Sequence, residues 1–284
     1  MNSSRLKIVC GVLIWAVING LIIRGASQYL SPTALGAAMS LVGLIPLRFV
    51  LKKISIPRRH VRVLMMLGIT AALNNSFFYT AIAVKNVSTI VLVHYFAASL
   101  AVLWAHWVPS LRERFSIRNV VSVALGFAGL LVMLGKDWFA FEPWMAYALL
   151  SAFFYSWEVI YSRRAGIEAI DPSHSAFSKL SFQVILMPCV GLFLGQSLRV
   201  PISTWLPIIG AGLLLVLSFW LVFEGLKRVS ATHFSMLAYL DRLGAIAIGF
   251  FWWHEPVGMR ILIGGLLILV AEIPILFLQS KKEA

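Results

Sequence analysis

The sequence predicts an all-α integral membrane protein of ten transmembrane helices, built as two inverted repeats of five. Three observations predict it: an apolar composition, ten apolar runs of membrane-spanning length, and self-similarity at an offset of half the chain. With 60% hydrophobic and 12% charged residues and a mean hydropathy of +0.89, the chain has far more apolar surface than one soluble core of this length can bury. The second observation is a set of runs of about 17 to 25 residues, the length a helix needs to cross the hydrocarbon layer. The third is a register of 142 residues, half of 284, which carries Gly68–Arg118 onto Gly210–Arg260 without a gap.

In so apolar a chain only the rarer residue types carry weight. Ser76-Phe77 falls on Ser218-Phe219, Lys85 on Lys227, Val87-Ser88 on Val229-Ser230, Glu113 on Glu255 and Arg118 on Arg260. Trp15 maps to Trp157, Ser31 to Ser173 and Pro46 to Pro188, which extends the repeat to units of 1–142 and 143–284.

Taken in order, the expected spans are Leu6–Ile23, Pro32–Leu51, Val61–Val84, Val87–Val108, Ile117–Leu134, Trp144–Tyr161, Ser175–Leu194, Thr204–Leu226, Ala231–Trp253 and Val257–Leu278. The first resembles a cleaved leader in its Arg5, Lys7 and Gly25-Ala26-Ser27, but its repeat twin lies deep in the chain, which argues for a span. With the N-terminus cytoplasmic, 17 Lys and Arg fall inside, while only Arg24, Lys85, Lys136, Arg199 and Arg260 fall outside. The bias predicts both termini in the cytoplasm and a plasma-membrane protein, an inner-membrane one in a bacterium. Five spans per repeat is an odd number, so the second copy must run upside down relative to the first. Inverted repeats hold a substrate site near the bilayer midplane and open it to alternate sides.

The net charge of +13 sits in the short segments between spans, where topology explains it, and nucleic acid is not expected as a partner. Cys10 and Cys189 fall in separate apolar runs and the six His are scattered, so no metal or cofactor is predicted. No enzyme signature survives: Gly129–Lys136 has the wrong spacing for a phosphate loop.

Polar side chains at membrane depth cost about 2.5 to 3.5 kcal/mol for an Asp or Arg at a helix centre, so each one marks a candidate. Asp241-Arg242 lies mid-way along the ninth span and points in two directions. The pair serves either as bridges to other helices, Arg242 to Glu158 or Glu272, or as substrate contacts. Trp15 and Asn19 share a face of the first span, as Trp157 and Tyr161 do on the sixth, beside Glu158. Asn75 and Tyr79 on the third span follow Asn74, and His94, Tyr95 and Ser99 lie on the fourth. Ser175, Lys179 and Gln183 form a stripe on the seventh, Trp220 and Glu224 another on the eighth, and Tyr239 precedes the Asp-Arg pair. Lys179 and Glu224 are near enough to a helix end to snorkel. Glu255-Pro256 reads as the cap and first turn of the tenth span, with Glu113 in the equivalent place.

The segments Asn74–Ala81 (NNSFFYTA) leading to Val87-Ser88, Glu113 before Gly126-Phe127-Ala128-Gly129, Ser218–Leu226, Val229-Ser230, and His254-Glu255 before Gly264-Gly265 together resemble the EamA family of the drug/metabolite transporter superfamily. The chain departs from that family where a proline usually stands thirteen residues before each loop acid, at Leu100 and at Asp241-Arg242. The resemblance implies a secondary transporter, often an exporter, of amino acids or related metabolites, with a cavity lined by spans one to four and six to nine. The expected function is alternating-access transport of a small polar or zwitterionic metabolite, with protons as one option for the coupling ion and a monomer or homodimer as the unit. A non-transporting membrane partner or sensor, or a membrane-embedded enzyme, is the competing class.

Overall fold

A computed structural model describes residues 3–50, 56–108, 117–135, 142–226, 231–256 and 258–280. Among the described residues every regular element is helical. Helix α1 runs Ser3–Val17, passes through a π-helical segment Ile18–Ile23, and ends as Arg24–Ala26. It is followed by α2 (Pro32–Val50), α3 (Arg58–Val84), α4 (Val87–Trp107), α5 (Ile117–Leu134), α6 (Pro143–Ile167), α7 (Pro172–Phe193), α8 (Trp205–Leu226), α9 (Ala231–Phe251) and α10 (Met259–Ser280). These ten helices coincide with the expected spans to within three residues, except that α6 runs six residues past the expected end at Tyr161. Stretches of α1, α2, α3, α7 and α8 are long and apolar enough to cross a membrane by themselves, and α4, α5 and α10 carry shorter apolar stretches.

Local chemistry sets the helix ends. Pro143 opens α6 and Pro172 opens α7, where a missing N–H costs nothing, and the Asp171 carboxylate accepts the Ser173 N–H at 2.7 Å. Helix α7 stops at Gly195, whose φ of +69° closes the turn in which the Gln196 N–H donates to the Gly191 carbonyl at 2.8 Å. Pro46 in α2 and its repeat partner Pro188 in α7 both lie inside their helices, where each removes a backbone hydrogen bond.

Packing follows the repeat. Helix α3 packs on α6 and α7, and α4 on α6; exchanging the two halves turns these into α8 on α1 and α2, and α9 on α1, all of which are observed. Helices α2 with α7, α4 with α9 and α5 with α10 join the two sets. Each packing group therefore mixes helices of both repeats: α3, α4, α6 and α7 form one, and α1, α2, α8 and α9 the other.

Helices α5 and α10 approach most closely at glycine. A Cβ on Gly264 would lie 2.5 Å from the Gly129 carbonyl oxygen, and one on Gly129 would lie 2.6 Å from that of Gly264. Gly264→Ala is expected to force the helices apart at a cost of about 1–3 kcal/mol, read as a lowered unfolding midpoint in detergent. Gly210→Ala, where nothing lies within 4 Å of the added carbon, is the control expected to leave the midpoint in place; equal behaviour of the two would refute the close crossing.

Candidate functional site

Helix α6 presents Ser151, Tyr155 and Glu158 along one face, at spacings of four and three. From this face a hydrogen-bonded chain crosses four helices. The Lys179 ammonium on α7 donates to Glu158 Oε1 at 2.8 Å, and Asn74 Nδ2 on α3 donates to Oε2 at 2.9 Å. Ser151 Oγ donates to Asn74 Oδ1 at 2.9 Å and is 2.9 Å from His94 Nδ1 on α4. A hydroxyl that gives its proton to Asn74 accepts from His94, which fixes the proton on Nδ1. Glu158 and Lys179 are 8% and 7% exposed. A buried charge needs a partner, and these two supply each other's.

Lys179 thus points inward to Glu158 instead of snorkelling, and the Arg242–Glu158 bridge, one of the alternatives for Arg242, is not formed. Lys179 already neutralises Glu158 at 2.8 Å, and the Arg242 guanidinium is directed at the rings of Tyr95 and Tyr155 instead.

Arg242 sits among aromatic rings. Its guanidinium carbon is 4.8 Å from the Tyr95 ring centre and 5.2 Å from that of Tyr155, within cation–π range. No carboxylate lies within 4 Å of it among the described residues. Asp241 faces α1, where Asn19 Nδ2 donates to Oδ1 at a long 3.5 Å. Asn19 lies in the π-helical segment Ile18–Ile23, the kind of distortion that redirects a side chain at a functional site. His94 joins the two clusters, its ring 4.6 Å from both Tyr155 and Phe78.

The remaining candidates divide by position. Trp15 meets Phe219 edge-on at 5.8 Å, and Phe219 also faces Lys179 Nζ at 5.6 Å. Tyr79 and Tyr95 are buried and Asn75 is half-buried on the same side of α3. Gln183 is 2% exposed and accepts from Ser40 Oγ at 2.6 Å, while its Nε2 has no partner among the described residues. Trp157 stacks on Trp104 at 5.7 Å and reaches Tyr161 at 6.1 Å, so this pair shares a face as expected, turned toward α4. Trp220 is displaced from the expected site: it is 52% exposed on the outside of the bundle, with Lys7 Nζ 5.8 Å above its ring. Its helix turns the other face, Phe219 and Val222, inward. The side chains of Ser99, Tyr239 and Glu272 lie outside the described residues, as does Glu113.

Glu255 departs from its expected role. Helix α10 starts only at Met259, and the Glu255 carboxylate, 5% exposed, instead accepts from Val87 N at 2.6 Å, Ser88 N at 2.9 Å and Ser88 Oγ at 2.9 Å. It caps α4, across the repeats. His254, with φ of +50°, turns the chain so that the acid points in rather than on to its own helix.

Sequence reading missed Tyr155, Ser151 and Phe219. The spacing of Ser151, Tyr155 and Glu158 was a usable signal; nothing in the sequence marks Phe219 except its place beside Ser218 in the repeat.

Ten apolar helices, a contact pattern that maps on to itself when the halves are exchanged, and charged side chains held inside the bundle define a two-repeat integral membrane protein. A model of the EamA-like transporter family matches residues 3–135 and again 142–277. The chain belongs to that family, and is a multi-pass membrane transporter of small molecules. A solved structure titled "Crystal structure of protein" is similar in fold, with a TM-score of 0.63 at 19% identity over 100% of both chains. No curated protein matches.

Proposed function

We propose that this chain moves a small zwitterionic metabolite, an amino acid above all, by alternating access, as an exporter or exchanger. The observation that carries the reading is how charge is distributed among the buried groups. Glu158 and Lys179 neutralise each other at 2.8 Å. Asp241 and Arg242, adjacent on α9, form no ion pair among the described residues: Asp241 has the Asn19 amide at 3.5 Å, and Arg242 lies against Tyr95 and against Tyr155, whose hydroxyl is a hydrogen-bond partner. One acid and one base without ion-pair partners among the described residues match the two charges of an amino acid. Arg242 would take the carboxylate and Asp241, with Asn19, the ammonium. Tyr95, Tyr155, Tyr79 and Trp15 would form the walls, and the Gln183 amide, with Nε2 unspent, would offer a further donor. The Glu158–Lys179 pair serves as the pillar that holds α6 and α7 behind the site.

The loop charges support a plasma-membrane protein with both termini in the cytoplasm. Protons remain the reading for a coupling ion, carried by Asp241 rather than by the ion-paired Glu158.

Purified protein in liposomes is expected to take up radiolabelled amino acids. Asp241→Asn or Arg242→Gln should abolish uptake while the protein elutes and unfolds as the parent does; unchanged uptake in both variants removes the pair from the site.

A further inference from the structure

We propose that the end of the molecule bearing the α9–α10 connection is a gate, latched shut in this conformation by the Glu255 carboxylate on the N-terminus of α4. The inference rests on alternating access and goes beyond it by assigning the contacts that must break.

Four contacts tie the two packing groups together at this one end. Glu255, on the loop after α9, accepts three hydrogen bonds from Val87 and Ser88, at the start of α4. Arg24 at the end of α1 donates from Nη1 to the carbonyls of Ile82 and Ala83, the last turn of α3, at 2.7 and 3.0 Å. Gln196, after α7, accepts from Thr33 Oγ1 on α2 at 2.8 Å and donates to Thr80 Oγ1 on α3 at 3.0 Å. Ser31, before α2, donates to the Ser197 carbonyl.

The chemistry of these contacts suits a latch more than a permanent weld. Two of the four use helix-end groups that water can satisfy equally well: the first N–H groups of α4 and the last carbonyls of α3. A buried carboxylate on a helix N-terminus is strongly held while dry, and exchanges its partners for water once the end opens. The two acceptor geometries are also fixed in advance. His254 at φ +50° aims Glu255, and the turn at Gly195 sets Gln196. Beside the Ser31 and Gln196 contacts lies an open depression of about 410 Å³, lined by Tyr29, Leu30 and Val84 together with Ser31, Thr80 and Gln196.

Gly249 gives a way to release the latch without altering charge. A Cβ there would lie 2.6 Å from both Glu255 Oε2 and Ser88 Oγ, so Gly249→Ala must push the carboxylate off α4.

The test places a single cysteine at Asn75, about two helical turns below the gate on α3, in a background with Cys10 and Cys189 changed to Ser. Proteoliposomes of known orientation, with no substrate present, are treated from either face with a membrane-impermeant thiol reagent. Glu255→Gln and Gly249→Ala are each expected to speed labelling from the gate face on the order of tenfold, the scale set by loss of one charge-assisted hydrogen bond in a two-state equilibrium, and to slow it from the opposite face. Hydrogen exchange at the Val87 and Ser88 amides reports that the latch is broken. Unchanged labelling with those amides exposed would overturn the proposal, as would equal acceleration from both faces, the mark of a loosened fold. Should neither variant fold, Ser88→Ala, which removes one of the three bonds, is read the same way. Amino-acid uptake enters neither arm, so a wrong substrate and a wrong gate fail separately.

Discussion

Glu158→Gln and Lys179→Met, made singly, will each destabilise the protein by about 3–5 kcal/mol, the cost of leaving one member of a buried ion pair without its counter-charge. Made together, the two changes are expected to recover most of that loss, because both charges are then absent. The groups lie 2.8 Å apart with side chains 9% and 11% exposed, so water can replace little of what the partner supplied. Unfolding midpoints in detergent, arranged as a double-mutant cycle, read the coupling directly. A double variant no more stable than the worse single would show that the chain through Asn74 and Ser151, not the ion pair, holds Glu158. Uptake by the double variant separates a pillar from a substrate contact. A pillar predicts that transport returns with stability, whereas a substrate contact predicts that it stays lost.

The pair also shows what sequence could and could not reveal. The fold was legible because it follows from one-dimensional properties: span length, loop charge and a gapless offset of 142 residues are all written along the chain. The presence of a charged centre was legible too, since Asp241, Arg242, Glu158 and Lys179 are conspicuous against an apolar background. Partnership was not. Which acid meets which base depends on how α7 and α9 are set about α6, and this is fixed by packing between helices far apart in sequence. Lys179 therefore looked able to reach a helix end, and Arg242 looked able to reach Glu158. The Trp220 stripe failed for a related reason. Spacing identifies a helix face but not the direction it points, and on α8 the inward face is that of Phe219. Glu255 was misread because capping was sought along the chain, while the N–H groups it satisfies belong to α4, 167 residues earlier for Ser88.

The contrast between paired and solitary charges makes a sharper prediction for Arg242 than loss of uptake. If its guanidinium receives the substrate carboxylate, the penalty for deleting that carboxylate should depend on whether Arg242 is there. In the parent protein, an amine that lacks the carboxyl group of the transported amino acid is expected to compete about 10- to 150-fold more weakly, the range for a charge-assisted hydrogen bond of roughly 1.5–3 kcal/mol. In Arg242→Gln the amino acid and the amine should compete about equally. Arg242→Lys is expected to restore only part of the difference, because a compact ammonium keeps the charge but loses the planar fork and the stacking on Tyr95 and Tyr155. Asp241→Asn should do the reverse, weakening amino acid and amine alike while sparing a carboxylate that lacks the amino group. Both groups lie on the same turn of α9 yet point apart, so one helix can present opposite charges to the two ends of a single small molecule. Equal discrimination between amino acid and amine in parent and Arg242→Gln would mean that the guanidinium serves only its aromatic neighbours, and the carboxylate would then have to be received elsewhere, with the unspent Gln183 amide as the next group to remove.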